Sequence, residues 1–327
     1  MSNTVSAPLP PVAIGIHAGC GALSKELMTE AQWQELREGL ANALRAGWML
    51  LSRGAPALDA VEASVVAMED CHYFNAGLGA AINTDGVHEL DASIMDGASG
   101  NFGGVCAVRR IRNPVRGARA LLNQGTSVLL VGEGADAFAQ SAGVEIVDNS
   151  YFNTARQLES LKSLKLRAAA GTLALASEAE RHGTVGAVAL DQAGNLAAAT
   201  STGGFNNKPV GRVGDTPIAG AGTYARNGVC AVSGTGKGEY FLRLQVAYDV
   251  AARMTYLGQS LVEATNAVVF DSLGRYGIGA GLVAIDAAGQ VVTPFSTAGM
   301  YRGWINVAGE LTVATHKQEY SLGKVSS

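Results

Sequence analysis

The chain has 327 residues, 48% hydrophobic and 16% charged, enough to bury a sizeable core as one large domain or two small ones. A formal net charge of -4, with no basic run longer than Arg109-Arg110, gives no footprint for nucleic acid. No stretch approaches about 18 uninterrupted apolar residues, so no membrane span is expected.

Residues 1–11 lack the charged and apolar regions of a secretory signal and read as a loose tail. Val12 to His17 predicts a short buried strand running into the turn Ala18-Gly19-Cys20-Gly21. Ala31 to Ser52 carries apolar residues at helical spacing, and Leu58 to Asp70 predicts a second helix entered after Pro56. Asn75 to Gly86 is punctuated by Gly and Asn, while Gly104–Val108 and Ser127–Gly132 predict strands. Residues 157–183 are helical by propensity, have no evident strand partner, and read as a surface linker. Lys162 to Arg167 within it is a solvated basic face. From Thr184 to Gly204, two apolar runs flank Asp191-Gln192-Ala193-Gly194, the chemistry of a hairpin turn. The template returns at Gly281 to Asp286, with Gly289 and Thr297 matching Gly194 and Thr202. Helices are predicted over Glu239–Met254 and Ser260–Leu273. Hairpins interleaved with amphipathic helices favour layered sheets covered by helices over a parallel dinucleotide-binding fold, because no G-x-G-x-x-G opens a helix.

Cys20, Cys71, Cys106 and Cys230 show no C-x-x-C spacing. Two bridges remain open to them, but a chain of this size favours buried free thiols, and a soluble cytoplasmic protein is expected. None of the histidines His17, His72, His88, His182 and His316 forms an H-E-x-x-H pair, and no G-x-S-x-G elbow occurs. Zinc and serine hydrolases are therefore disfavoured. Gly234-Thr235-Gly236-Lys237-Gly238 looks like a phosphate loop only superficially. A true one needs Ser or Thr where Gly238 stands and Gly where Ala231 stands.

Thr184 follows Gly183 where the linker meets a strand, and alone this means little, since Thr favours strands. The segments around it carry more: Thr202, Arg212-Val-Gly-Asp215 and Ser233-Gly-Thr-Gly-Lys-Gly-Glu239. With His17-Ala-Gly-Cys-Gly21, Phe74-Asn-Ala-Gly-Leu-Gly79, Glu89 to Gly97, Arg112-Asn-Pro114, Gly132-Glu-Gly134 and Thr297 to Tyr301, they resemble the plant-type asparaginases, or isoaspartyl peptidases, of the N-terminal-nucleophile hydrolases. The resemblance covers most of the chain.

It implies an α+β fold, a four-layer αββα sandwich formed by residues 1–327 as one domain. It also implies self-cleavage between Gly183 and Thr184 into an α chain (1–183) and a β chain (184–327), paired as a dimer of heterodimers, (αβ)2. Cleavage supplies a nucleophile and a base on one residue, because a hydroxyl needs a nearby base and a freed α-amine has a pKa of about 8. By the resemblance Thr184 is the nucleophile, Thr202 orients it, and Thr235 and Gly236 form the oxyanion hole. Arg212 holds a substrate α-carboxylate; Asp215, with the Gly238 carbonyl, holds the α-ammonium; Asn75 reaches the nucleophile's neighbourhood. Taken without the resemblance, Arg212 and Asp215 fit a local ion pair across a turn equally well, and His17 fits a buried structural histidine.

The backbone carbonyls of Met68, Glu69, Cys71, Phe74, Ala76 and Leu78 match the family's structural Na+ loop; otherwise they are a plain helix-to-strand loop. No catalytic cofactor is implied. The expected activity is hydrolysis of β-aspartyl peptides and of L-asparagine through a β-aspartyl-threonine ester. A glycosylasparaginase, or an uncleaved binding protein, is the alternative. Ala18, Cys20, His72 and Lys237 depart from the pattern. Ala18 replaces a glycine and is expected to slow self-cleavage if its turn must flex, and Lys237 to alter the leaving groups accepted.

Overall fold

The structure, a computed structural model, describes residues 11–21, 26, 28–170 and 183–325. The first half of the chain forms β1 (Ala13–Gly21), α1 (Glu30–Leu51), α2 (Ala57–Glu69), β2 (Leu90–Asp96), β3 (Phe102–Val108), α3 (Pro114–Gln124), β4 (Leu129–Val131), α4 (Gly132–Ser141) and α5 (Ala155–Ala169). Beyond Gly183 come β5 (Val185–Leu190), β6 (Leu196–Thr202), β7 (Thr223–Arg226), β8 (Cys230–Gly236), α6 (Gly238–Leu244), α7 (Val246–Leu257) and α8 (Leu261–Asn266). The chain ends in β9 (Ala280–Asp286), β10 (Val291–Val292), β11 (Gly299–Ile305), β12 (Glu310–Ala314) and β13 (Glu319–Lys324).

One sheet has the order β13-β12-β11-β1-β5-β6-β2-β3-β4 and is antiparallel except for β3–β4; the other runs β10-β9-β8-β7. Three apolar clusters hold these elements together. Ile14, Ile16, Val185, Ala187 and Ala199 of the larger sheet pack against α1 and α2 through Leu40, Leu44, Val61 and Val65. The opposite face presents Val188, Leu190, Leu196 and Ala198 to Ala231, Val283 and Ile285 of the smaller sheet. The far face of that sheet buries Val232, Leu282 and Ala284 against Val246, Val250 and Leu261 of the last helices. Strict alternation along β5 and β6 decides which residues face which cluster.

Local chemistry explains the boundaries. Thr29 and Gln32 form a reciprocal capping box that starts α1, a device worth about 1 kcal/mol. The β5–β6 turn closes on Asp191, whose Oδ1 accepts from the amides of Ala193 and Asn195 at 2.9 Å, with Gly194 at φ 80°. Asp286 repeats this with Ala288 and Gln290 before Gly289. The repeat stops there, for β10 is short and Thr297 lies off any strand, its hydroxyl donating to Gly299 O.

Two expectations need correction. The helix predicted over Glu239–Met254 is two helices, broken where Gln245 takes a left-handed φ of 50°. The segment 157–183 is not simply a surface linker. Its described part, α5, buries Gln157, which donates to Gly79 O and accepts from Asn206. The rest of that linker, and most of the tail over 1–11, lies outside the described residues. None of the four cysteines forms a disulfide, and no described helix is long and apolar enough to cross a membrane.

Candidate active site

The β5–β6 register pairs Val185 with Ser201, so the next position on each strand sets Thr184 beside Thr202. The Thr184 hydroxyl donates to Thr202 Oγ1 at 3.3 Å, and Thr202 Oγ1 donates to the Gly183 carbonyl oxygen at 3.0 Å. The same oxygen accepts from Asn75 Nδ2 at 2.7 Å. Asn75 is itself fixed, since its amide also donates to Gly204 O and its Oδ1 accepts from Ala81 N, each at 2.7 Å. Thr184 is buried. Gly19, at φ 107°, leaves space for the bond before it, since a Cβ there would stand 3.0 Å from Gly183 Cα. Ala18 is thus followed by a glycine that takes the left-handed conformation.

A narrow cleft joins Gly183, Thr184 and Thr202 to Gly204, Arg212, Gly214, Asp215, Thr216, Gly236 and Gly238. Arg212 and Asp215 do not pair with each other in a salt bridge. Arg212 Nε and Nη2 donate to Glu239 Oε1 at 3.1 and 3.0 Å, and its guanidinium lies 4.9 Å over the Phe205 ring. Asp215 Oδ2 is buried with no hydrogen-bond partner among the described residues. Burial pushes the Asp215 carboxyl up to about 7, against the pull of its own backbone amide and of Arg212. A Cβ on Gly238 would meet Asp215 Oδ1 at 2.7 Å and Arg212 Nη2 at 2.9 Å, so glycine keeps both charged groups reachable. Gly236, at φ 153°, lines the cleft, and next to it Thr235 Oγ1 is buried without a hydrogen-bond partner among the described residues.

Buried charges anchor the segment that carries Arg212 and Asp215. Lys208, fully buried, donates from Nζ to Glu89 O at 2.6 Å, and Glu89 Oε2 accepts from Gly211 N at 2.9 Å. Arg109 pairs with the other Glu89 oxygen at 2.8 Å. Asp91, opposite Thr202 on β2, accepts from Ala107 N, and its charge supports that of Lys208 against desolvation.

The expected cation loop follows α2. Leu78 N donates to Glu69 O at 2.7 Å, Phe74 N to Cys71 O, and Cys71 N to Met68 O. Side chains at Gly77 and Gly79 would strike Glu69 O and approach His72 O and Phe74 O, so backbone oxygens converge around these glycines, between the buried Phe74 and Ala76. Among the described residues no group of three acidic, His or Cys side chains forms a metal site.

Residues 10–315 match the family described as asparaginase. The chain belongs to the asparaginase family. Its relatives include the isoaspartyl peptidase of Escherichia coli (strain K12), 47% identical over 294 residues that cover 89% of this chain and 92% of that one. The probable isoaspartyl peptidase/L-asparaginase 2 of Arabidopsis thaliana is 38% identical over 323 residues, covering 92% and 98%. The isoaspartyl peptidase/L-asparaginase of Macaca fascicularis is 38% identical over 296 residues, covering 89% and 91%.

The cleft gathers Thr184, Thr202, Arg212, Asp215, Gly236 and Gly238, while Asn75 approaches it through Gly183. The loop after α2 meets the cleft through Asn75. Sequence reasoning missed Glu239 as the partner of Arg212, and Lys208, Glu89 and Asp91 beneath the recognition segment. Asp91, an acid inside the apolar strand β2, was the available signal, because charges seldom stand there unpaired; Glu89 just before β2 and Lys208 in an irregular stretch gave none.

Proposed function

We propose that this asparaginase is a self-processing threonine amidohydrolase that cleaves β-aspartyl peptides and the side-chain amide of L-asparagine. The observation that carries the reading is the Gly183 carbonyl oxygen held by Asn75 and Thr202 beside the Thr184 hydroxyl. In the uncut chain the Thr184 oxygen attacks the Gly183 carbonyl carbon. Charge developing on the carbonyl oxygen meets two donors already aimed at it, an arrangement in which one donor is worth about a hundredfold or more in rate. The C–N bond breaks, the departing amine takes up the proton that the hydroxyl loses, and water releases Gly183 from the ester.

The freed amine then serves as base for the same hydroxyl. Arg212 takes the substrate α-carboxylate in its planar fork, which Glu239 shares in the free protein. Asp215, with Gly238 O, takes the α-ammonium. The β-carbonyl oxygen points to the Thr235–Gly236 oxyanion hole. Thr184 forms the β-aspartyl ester, ammonia or a peptide amine leaves with the proton, and water regenerates the threonine. One cation and one anion in the same cleft favour the free amino-acid end of a zwitterion. The relatives' names, isoaspartyl peptidase and L-asparaginase, support the same substrates.

The wider reading is a four-layer αββα sandwich of one domain, supported by its three apolar clusters, cut into 1–183 and 184–327 and assembled as (αβ)2. The carbonyls of Met68, Glu69, Cys71, Phe74, Ala76 and Leu78 would hold a structural Na+, a hard ion suited to oxygen donors. The convergence of backbone oxygens at Gly77 and Gly79 supports that fit.

Denaturing electrophoresis with N-terminal sequencing tests the proposal. Purified protein resolves into two fragments, one beginning Thr-Val-Gly-Ala. Thr184→Ala stays whole and releases no ammonia from L-asparagine. A wild-type chain that remains intact after long incubation overturns it.

A further inference from the structure

A row of polar side chains crosses the interface between the two sheets, one rung deeper than the catalytic threonines. His17 Nε2 meets Ser233 Oγ at 2.9 Å, and Ser233 Oγ meets Thr200 Oγ1 at 2.7 Å. Thr200 Oγ1 meets Thr223 Oγ1 at 2.5 Å, Thr223 meets Ser93 Oγ at 2.8 Å, and Ser93 donates to Thr216 O at 2.6 Å. These side chains have no exposed surface. His17, Thr200 and Ser93 stand on one rung of the larger sheet, aligned through Gly186. Ser233 and Thr223 are paired on the smaller. The row therefore passes back and forth between sheets. Gly186 makes this passage fit, because a Cβ there would collide with Ser233 Oγ and lie 2.7 Å from His17 Nε2.

Two residues along the same strands lie the catalytic groups. Thr202 follows from Thr200, Thr184 from Gly186, and Thr235 from Ser233, each on the same face by the strand period. Elsewhere the interface is apolar, through Val188, Leu190, Leu196, Ala198, Ala231 and Val283. Apolar contact is non-directional and resists a small slide weakly, whereas hydrogen bonds weaken steeply with distance and angle. Acyl transfer needs the slide fixed, since Thr184 and Thr202 belong to one sheet and Thr235 and Gly236 to the other. A misplacement of about 1 Å costs about a hundredfold in rate.

We propose that the buried row from His17 to Thr216 is a latch that fixes one sheet against the other, so that Ser233 and Thr200 are positioning residues for the oxyanion hole. This rests on the functional reading above. It also separates two reactions: self-cleavage uses Thr184, Thr202 and Asn75 on the side of the larger sheet, while turnover adds Thr235 and Gly236 from the smaller.

Thr200→Val and Ser233→Ala, measured with L-asparagine and by the rate of fragment appearance, test the latch. The kcat falls about tenfold or more, KM moves less than about twofold, and self-cleavage stays near the wild-type rate. Thr200→Ser, which keeps a hydroxyl, restores kcat. Val188→Ala, in the apolar part of the interface, lowers the thermal midpoint and leaves kcat unchanged. Folded valine and alanine variants with wild-type kcat overturn the proposal, as does a loss that serine cannot rescue. A wild-type chain inactive on both substrate types counts against the functional reading instead. The latch is then read from amide hydrogen exchange at Thr235 and Gly236, which quickens in Thr200→Val if the latch holds and is unchanged if it does not.

Discussion

Burial holds the Asp215 carboxyl near neutrality, at about 7, and under the proposed function its protonation state decides what the cleft retains. Only the ionised form attracts an α-ammonium, so affinity for amino-acid ligands rises as pH climbs toward about 7 and levels beyond it. Competitive inhibition by L-aspartate is expected to strengthen by up to about tenfold per pH unit on that limb, and Asp215→Asn to flatten it. Inhibition constant with pH through this window contradicts the assignment. Stability follows the opposite course. An unfolded aspartate releases its proton near about 3.9, so the contribution of this group is full below that value and is lost as pH rises through about 7. His17 acts in the other direction. Burial lowers its imidazole to about 3, opposed by the Thr184 backbone, so its contribution is present above about 6.5 and lost on acidification toward about 3.

The segment between β6 and β7 shows how an irregular stretch is made rigid enough to carry a binding site. Lys208 reaches back to Glu89 O while Glu89 fastens Gly211, immediately before Arg212. Lys208→Met leaves the buried Asp91 without its supporting cation and is expected to cost about 3 kcal/mol by urea denaturation, with a higher KM for L-asparagine. A neutral result on both measures counts against this anchoring. The nucleophile hairpin was legible in the sequence because Asp191 and Gly194 mark its turn and Gly183-Thr184 its head. The long helix α1 was legible from its apolar spacing. Strands β2, β6 and β8 are buried on both faces and show little alternation, so β2 and β8 went unrecognised and the polar row through Ser93, Thr200 and Ser233 left no periodic trace. The break at Gln245 escaped notice because the residues on either side keep helical preference. Arg212 and Asp215 stand close together in sequence, but the contact of Arg212 with Glu239 and that of Lys208 with Glu89 were fixed only by tertiary packing.

At the scale of the molecule, the Gly183–Thr184 junction divides the larger sheet in an unusual way. Strands β13, β12 and β11 come from the C-terminal side of the junction, β1 from the N-terminal side, β5 and β6 again from the C-terminal side, and β2, β3 and β4 from the N-terminal side. Every change of side is a full antiparallel ladder, and α1 and α2 pack across several of them. Fragments from the proposed cut are therefore expected to elute together in native size exclusion and to separate only in denaturant. Free fragments under native conditions contradict this. The hold of Asn75 and Thr202 on the Gly183 carbonyl also sets a tempo. Attacking oxygen and target carbon belong to adjacent residues of one backbone, so the proposed self-cleavage would be first order, each molecule carrying its own clock, started by folding. Newly folded protein should display a lag before ammonia appears, of equal length at high and at tenfold lower concentration.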